Sequence, residues 1–417
     1  MSLGRGPGRP GALPTRLVAV VVVALTAGVL GSHLARGHGD VDVRVYYGAV
    51  TSWMDGGGLY EFGLGSRRLG FTYPPFAALC MTPMTVVPPD VVVGLNQLVI
   101  AGAVVFTTWQ VVRSLPRLRG HGQGFVVAVL VPTVFVLQPV RDTLTFGQVN
   151  VLLAALVLLD LWSLERGSRW AGVGIGLAAA LKLTPGLFIV FLLVAGLRRG
   201  ALTAAGTAAA ATVLAAAVSP ATSWTYWSST IFDTGRIGSV DSASNQSLAG
   251  LLARLSNSGH PPGLWLPLVA AVVVWGLWSA RSLWRRDAHL AAFTTVGLTA
   301  GLASPITWVH HLWWVVPGLL LLLDHGLRRR SRAVTGASGL LAVLFVSGLP
   351  DLTRARAGHH LTWQALSGEN AYVLACLALL VALPLLIRRD QRDDPADASA
   401  AAHALVAVAG DGSRLEL

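Results

Sequence analysis

The stretch AGVGIGLAAALKLTPGLFIVFLLVAGL, residues 171–197, decides the class of fold. Lys182 is its only charged side chain, and Arg169 and Arg198 flank it. A helix that crosses a bilayer needs roughly 20 apolar residues, so the stretch is too long for one ordinary span and too short for two. Since proline removes a hydrogen-bond donor and disfavours helix in the residue before it, we predict a break at 183–185. Such breaks are tolerated at membrane depth where they line a cavity.

The composition of the whole chain agrees with a membrane protein. Of 417 residues, 53% are hydrophobic and only 12% are charged, whereas soluble domains carry roughly 25% charged residues. A net charge of +11 by itself suggests a nucleic-acid partner. The arginines, however, lie in short runs between apolar segments, which is typical of cytoplasmic loops. The composition therefore excludes a soluble enzyme, and we expect no nucleic-acid partner.

The order of apolar segments and arginine runs gives a topology with a cytoplasmic N-terminus and cytoplasmic arginines. The proline-rich segment 71–89 is predicted to lie on the outer surface, because counting it as a span would move the arginines of 113–119 outside. The twelve predicted spans are 17–34, 90–112, 124–140, 149–164, 171–182, 185–197, 201–219, 264–281, 289–303, 311–326, 334–350 and 371–387. The external loops are then 35–89, 141–148, 220–263, 304–310 and 351–370. We predict one all-α transmembrane domain over 1–387, with its chemistry on the outer face, and a disordered cytoplasmic tail over 388–417.

Asp40 and Asp42 stand out among the external acidic residues because they begin the first external loop. A carboxylate that is partly desolvated at the membrane boundary has a raised pKa and can act as a general base. A helix N-cap or a solvated loop acid is the alternative role. Asp40-Val41-Asp42 also has the form of a DxD metal motif. Because nucleotide sugars are not expected outside the cell and no zinc or calcium spacing is present, we predict no metal site.

Several cationic side chains are candidates for binding phosphate. His310 and His311 lie at an external span boundary, where an imidazolium can donate charge-assisted hydrogen bonds to phosphate or can simply sit in the headgroup belt. Lys182 is the only lysine of the chain. An intramembrane lysine indicates a functional site, and capping the carbonyls of the broken helix is its alternative role. Arg141 lies at the external end of the third predicted span.

Amides near the external ends of spans are candidates for binding sugar hydroxyls. Gln148 and Asn150 flank the start of the fourth predicted span, and Asn245 and Gln246 lie in the loop 220–263. Amides at such positions also form hydrogen bonds between helices. Aromatic residues in the same loop suit either stacking on sugar or a membrane-interface belt.

Six short stretches, taken together and in order, resemble glycosyltransferase family 87, the actinobacterial polyprenol-phosphate-mannose-dependent α-(1→2)-mannosyltransferases with a GT-C fold. Each stretch lies at or near the end of a predicted helix. They are Asp42-Val-Arg-Val-Tyr46, Phe71-Thr-Tyr-Pro-Pro-Phe-Ala-Ala-Leu79, Gly147-Gln-Val-Asn150, Lys182-Leu-Thr-Pro185, Ser244-Asn-Gln-Ser-Leu248 and Ser304-Pro-Ile-Thr-Trp-Val-His-His311.

The resemblance implies an inverting transfer of mannose from polyprenol-phosphate-mannose to a mannosylated glycolipid, such as a phosphatidylinositol mannoside or lipomannan, on the outer face of the plasma membrane. Asp42 corresponds to the catalytic general base of the family, and Asp40 is the reserve. His310 or His311 corresponds to the phosphate-side histidine, and the resemblance does not choose between them. Tyr46 and Tyr73, within matching stretches, are expected to contact sugar or acceptor. Neither a metal nor a cofactor is implied.

Two other classes of protein remain as alternatives. A twelve-span transporter or flippase of a lipid-linked sugar would show two similar halves and a long cytoplasmic central loop, neither of which is evident in the sequence. An outer-face polymerase or ligase with a lipid-diphosphate donor would need more external cations than the predicted topology provides.

Overall fold

The computed structural model describes residues 12–34, 39–65, 69–256, 263–357 and 367–392. Within these ranges the regular structure is helical, and extended pairing is confined to two isolated bridges, Leu64–Leu69 and Asn245–Trp308. The prediction of an all-α chain is therefore confirmed for the described residues. Most of the predicted disordered tail, from residue 393 onward, lies outside the described residues.

The α-helices follow one another with short connections. In chain order they are α1 (Ala12–Leu34), α2 (Val41–Met54), α3 (Pro75–Met81), α4 (Pro89–Arg113), α5 (Pro116–Arg119), α6 (Gln123–Val136), α7 (Gln138–Phe146), α8 (Asn150–Glu165), α9 (Val173–Leu181), α10 (Gly186–Val194), α11 (Arg198–Val218), α12 (Pro220–Ser228), α13 (Leu248–Ser256), α14 (Trp265–Trp284), α15 (His289–Ala303), α16 (Val315–Arg328), α17 (Arg332–Ser347), α18 (Leu349–Ala357) and α19 (Ala371–Arg392). Four 3₁₀ turns lie between them, at Thr82–Val86, Thr230–Phe232, Thr234–Arg236 and Val309–Trp314.

Four described helices are long and apolar enough to cross a membrane: α1, α4, α11 and α14. Two bent pairs, α6 with α7 and the pair α17 with α18, raise this number to six if each pair is one span. Each of the twelve predicted segments contains a helix, but several of these helices are shorter than a bilayer requires. The structure thus supports a polytopic membrane protein with four to six spans of full length.

The third predicted span differs from the structure. The helix α6 ends at Val136, and the chain turns by 71° before α7 begins. Leu137, the N-cap of α7, has extended backbone with ψ of 130°. Pro139 lies in the first turn of α7, where the missing N–H of proline leaves no helical hydrogen bond unmade. Residues 141–146, predicted as part of an external loop, are therefore helical.

The predicted break in the stretch 171–197 is confirmed. The helix α9 ends at Leu181, Lys182 has extended backbone, and α10 begins at Gly186. The glycines before the break allow α9 to pack closely on α11, since a Cβ on Gly176 would lie 2.5 Å from the carbonyl oxygen of Ala204 on α11. The break is thus fixed between closely packed neighbours.

A second, smaller core lies over the end of the helical bundle. The helix α2 buries Val45, Tyr46 and Val50 against Phe71 and other residues of the first predicted loop. Tyr46 meets Phe71 edge to face, with ring centroids 6.1 Å apart. This packing fixes the N-terminus of α2, and with it Asp42, at the end of the bundle.

Candidate active site

A cavity of about 590 Å³ lies where the small core meets the bundle. Its wall combines the N-terminus of α2, the junction of α7 and α8, the break between α9 and α10, and the chain that follows α15. Six of the predicted site residues line it together: Asp42, Tyr46, Tyr73, Gln148, Lys182 and His311. These residues come from distant parts of the sequence, so only the folded bundle brings them together.

Asp42 lies in the first turn of α2 and is half-buried. Burial raises the pKa of its carboxyl from 3.8 to about 6. The hydrogen bond from Gln148 and the charge of Lys182 act in the opposite direction and limit the rise. A carboxylate with such a pKa is largely ionised at neutral pH and still basic enough to accept a proton from a hydroxyl.

Gln148 holds the Asp42 carboxylate from the side of the bundle. Its amide nitrogen donates to Oδ2 of Asp42 over 2.6 Å, and its carbonyl oxygen accepts from the hydroxyl of Tyr73 over 2.9 Å. The Tyr73 hydroxyl in turn lies 3.0 Å from that of Tyr46. Both amide atoms of Gln148 are thus engaged, which fixes the rotamer that presents its N–H to the carboxylate.

Gly147 makes this position of Gln148 possible. It has φ of +75°, in the left-handed region that favours glycine, and it ends α7. A Cβ at this position would lie 2.8 Å from a methyl carbon of Val43. The carbonyl oxygen of Gly147 accepts from the side chain of Asn96 over 3.0 Å, so α2, α4 and the α7–α8 junction meet here.

Lys182 lies at the helix break and lines the same cavity. Its ammonium donates to Oδ1 of Asn150 over 2.8 Å and lies 3.0 Å from Nε2 of His311. It also stands over the ring of Tyr73, 5.2 Å from the centroid. Extended backbone at the break directs the side chain into the cavity rather than along the surface of a helix.

The structure separates the two neighbouring histidines. His311 lines the cavity, and its Nδ1 accepts from the backbone N–H of Trp308 over 3.2 Å. His310 is 7% exposed and packs behind the wall, against the ring of Phe146. The 3₁₀ turn Val309–Trp314 therefore places His311, and not His310, beside Lys182.

Two predicted residues lie away from the cavity. Asp40 precedes α2, and its carboxylate accepts from Gln97 over 2.9 Å. Arg141 is buried on α7, where its guanidinium donates to the carbonyl oxygen of Val136 over 3.0 Å. This placement argues against a direct contact of Arg141 with a donor phosphate in the cavity, because the guanidinium instead binds backbone at the bend between α6 and α7.

Asn245 and Gln246, predicted to bind sugar, are fully buried and bind backbone. Asn245 accepts from the N–H of Thr307 and donates to the carbonyl oxygen of Pro305. Gln246 donates to the carbonyl oxygen of Glu369 and accepts from the N–H of Val373. Asn245 thus holds the segment that follows α15, which lines the cavity, whereas Gln246 holds the start of α19. Neither residue lines the cavity.

Other residues of the cavity wall were not singled out from the sequence. Arg236 lines the cavity from the 3₁₀ turn Thr234–Arg236 and donates to the carbonyl oxygen of Tyr60. Trp308 and Thr184 complete the wall near His311 and Lys182. Trp308 and Thr184 belong to two of the six stretches that resemble the family, and this was the signal available for them in the sequence. Nothing in the loop 220–263 distinguishes Arg236 from the other arginines.

The cavity thus combines three chemical properties. The Asp42 carboxylate, a candidate general base, lines the same cavity as the cationic or donor groups of Lys182 and His311. The remaining wall includes apolar side chains of α10 and α15, among them Leu187 and Ala300. Among the described residues, no three His, Cys, Asp or Glu side chains are grouped so that they could hold a metal ion. The arrangement suits proton removal next to an anionic group that carries an apolar chain.

Several mycobacterial proteins are similar to this chain in sequence. Mycolicibacterium smegmatis has a relative that is 33% identical over 93% of each chain, and Mycobacterium tuberculosis one that is 31% identical over 83% of this chain and 85% of its own. Both are named polyprenol-phosphate-mannose-dependent alpha-(1-2)-phosphatidylinositol mannoside mannosyltransferase. A second Mycobacterium tuberculosis relative, 31% identical over 89% of this chain and 88% of its own, is named for phosphatidylinositol pentamannoside.

A structural comparison gives a weaker likeness. The crystal structure of ArnT from Cupriavidus metallidurans bound to undecaprenyl phosphate aligns with 88% of this chain and 76% of its own, at 14% identity and a TM-score of 0.37. This likeness is too low to assign a fold.

The family assignment rests on sequence. The model of glycosyltransferase family 87 matches residues 71–305, which is more than half of the chain, and the mycobacterial relatives match 83%, 93% and 89% of it. The chain is a glycosyltransferase, and it belongs to glycosyltransferase family 87.

Proposed function

We propose that the chain transfers mannose from polyprenol-phosphate-mannose to a mannosylated glycolipid, forming an α-(1→2) linkage. The mycobacterial relatives carry this donor and a phosphatidylinositol mannoside in their names, which supports the choice of substrates. The observation that carries the proposal is the cavity in which Asp42 and the pair of Lys182 and His311 face the same space. A phosphodiester donor and a hydroxyl acceptor require these two kinds of group.

The reaction proceeds as a single displacement. The acceptor hydroxyl gives its proton to Asp42 while its oxygen forms a bond to the anomeric carbon of mannose. The bond between that carbon and the phosphate oxygen breaks, its electron pair stays on the phosphate, and polyprenol phosphate leaves. Attack from the opposite side of the leaving group converts a β-linked donor into an α-linked product. Gln148 donates a hydrogen bond to Oδ2 of Asp42. Oδ1 of the same carboxylate is then the atom that accepts the proton of the acceptor hydroxyl.

The cationic side of the cavity serves the leaving group. Negative charge grows on the phosphate as the glycosidic bond breaks, and preorganised donors in a site of low dielectric stabilise such charge strongly. The Lys182 ammonium and the imidazole of His311 lie 3.0 Å apart, so one phosphate can contact both. Arg236, which also lines the cavity, adds a second cation beside Lys182.

The apolar part of the wall suits the polyprenol chain. Leu187 and Val190 on α10 line the cavity, and Val190 is 44% exposed at the surface of the bundle. A path from the phosphate site along α10 therefore runs from polar to apolar surroundings. This path would let the lipid tail stay in the bilayer while the sugar reaches Asp42.

The proposed active site faces the outer side of the plasma membrane, in a GT-C-type arrangement. The support is the distribution of arginines, which places the first large loop outside, and the position of Asp42 on a helix of that loop. The acceptor then approaches from the aqueous side of the cavity.

Transfer of radiolabelled mannose tests the proposal directly. Membranes that contain the full chain are incubated with labelled polyprenol-phosphate-mannose and a panel of mannosylated lipids. We expect incorporation that a 1,2-specific α-mannosidase removes. Absence of transfer to every acceptor, with folded protein present, would overturn the proposal and favour a transporter of lipid-linked sugars.

The pH dependence of transfer tests the role of Asp42 in a second way. Only the ionised carboxylate accepts the proton, so kcat/KM is expected to rise with pH, with a midpoint near pH 6, the pKa of Asp42. The hydrogen bond from Gln148 favours the ionised form. In Gln148→Leu the midpoint should therefore move to higher pH.

Gln97→Leu is the matched control for this measurement. Its amide contacts Asp40 rather than Asp42, so its midpoint should remain near that of the wild type. An unchanged midpoint in Gln148→Leu would show that Asp42 does not set the pH profile.

A further inference from the structure

A second cavity, of about 510 Å³, lies at the other end of the bundle. The helix α15 connects the two cavities, because its N-terminal residues line the second cavity and its C-terminal residues line the first. At 1.5 Å per residue its 15 residues separate the two by about 22 Å. The second cavity is thus a separate site near the opposite membrane face.

The wall of the second cavity carries more positive than negative side chains. Glu165, Asp287 and Asp324 are its acidic residues. Three of its arginines end helices and two lie in the connections after α8 and α14; they are Arg113, Arg119, Arg328, Arg166 and Arg286. Five guanidinium groups against three carboxylates leave a positive excess, even with His289 neutral.

The carboxylates contribute little negative charge to the interior of this cavity. Asp324 is buried and accepts from Arg328 and from the backbone N–H of Leu118, each over 2.9 Å. Glu165 lies 3.3 Å from Arg113. Asp287 has a side chain that is 96% exposed. Asp324 and Glu165 therefore each form an ion pair with an arginine, and the side chain of Asp287 is exposed to solvent.

Two further features favour an anion in this cavity. The N-terminus of α15 opens into it with no side-chain cap and no acidic residue in its first turn, so its backbone N–H groups present positive potential. The guanidinium of Arg166 lies 4.1 Å from the ring centroid of Trp162. Stacking on the ring orients the planar guanidinium and leaves its edge for hydrogen bonds.

We propose that this cavity binds the phosphate group of an anionic membrane lipid at the face opposite the active site. Guanidinium groups bind phosphate with two parallel hydrogen bonds, and basic pockets between transmembrane helices hold lipid headgroups. Trp162, in the wall of this cavity, is a residue type enriched at the headgroup level. The proposal needs only that the chain lies in a bilayer, and it is independent of the reaction proposed above.

Thermal unfolding of the purified full chain in detergent tests the proposal. Phosphatidylglycerol, added as the probe lipid, should raise the Tm by a few degrees, because a ligand that binds only the folded state stabilises it. Phosphatidylcholine, which has no net charge, should raise it much less. Inorganic phosphate serves as a third probe that separates a soluble anion from a lipid headgroup.

Two double variants test whether the Tm shift caused by phosphatidylglycerol arises in this cavity. Arg119→Gln with Arg166→Gln should lose most of the shift caused by phosphatidylglycerol, whatever its Tm without lipid. Arg198→Gln with Arg199→Gln, exposed on α11 and away from the cavity, should keep the shift. Arg119→Gln alone serves if the double variant does not fold.

The outcomes separate the possibilities. A shift by phosphatidylglycerol that only the cavity variant loses supports the proposal. An equal shift by inorganic phosphate, lost in the same variant, supports an anion site but assigns it to a soluble anion instead of a lipid. Equal shifts by both lipids, or equal loss in both arginine pairs, would overturn it.

Discussion

Asp42→Asn is expected to reduce mannose transfer by about 10²- to 10⁴-fold, the usual contribution of a positioned general base. The asparagine retains an oxygen that can accept the 2.6 Å hydrogen bond from Gln148, so the wall of the cavity keeps its shape. What is lost is the ability to take up the proton of the acceptor. The measurement is the initial rate of transfer from polyprenol-phosphate-mannose, with the amount and Tm of the protein determined in parallel.

Asp40→Asn is the matched control for this experiment. Asp40 lies two residues earlier, at the same helix terminus, but its carboxylate contacts Gln97 and does not line the cavity. Transfer should therefore remain within a few-fold of the wild type. Comparable losses in both variants would indicate that the helix terminus, rather than a base at Asp42, is required.

Lys182→Gln is expected to lower kcat/KM for the donor by about 10²- to 10³-fold, as removal of one preorganised donor does at other sites where charge develops. The amide of glutamine can still bind Asn150, which the Lys182 ammonium contacts over 2.8 Å. It cannot supply a positive charge to the leaving phosphate. The measurement is a set of rates at varied donor concentration, with the acceptor saturating.

Two further variants distinguish charge from structure at this position. Lys182→Arg keeps the cation and should recover part of the rate, which a purely structural role at the helix break would not require. His310→Asn, which changes a side chain behind the wall, should retain more activity than His311→Asn, which changes one in the cavity. A full rate in Lys182→Gln would remove Lys182 from the proposed mechanism.

The broken helix shows why some features follow from local sequence. Pro185 stands in the middle of an apolar run, and proline acts on its own residue and the one before it. The position of the break, between Leu181 and Gly186, could therefore be predicted. The candidate base could also be predicted, because Asp42 belongs to a stretch that matches the family pattern.

Other features depend on tertiary contacts that no local pattern encodes. The bend at Leu137 was missed because the apolar run continues across it, although Pro139 suits the first turn of a new helix better than the end of an old one. The choice between His310 and His311 depends on the register of a 3₁₀ turn, which the hydrogen bond from Trp308 to His311 fixes. The sequence suggested that the amides of Asn245 and Gln246 bind sugar. In the structure they are buried and donate to the backbone carbonyls of Pro305 and Glu369, which are far away in the chain.

The assembly of the cavity from distant segments has a consequence for biosynthesis. Asp42 leaves the ribosome early, Gln148 and Lys182 follow, and His311 comes only after about three quarters of the chain. Since folding during synthesis begins from the N-terminus, the newly inserted protein has its base and its lysine in the membrane before the last wall of the site exists. We therefore expect the nascent chain to be inert in the proposed transfer until the segment after α15 has been inserted.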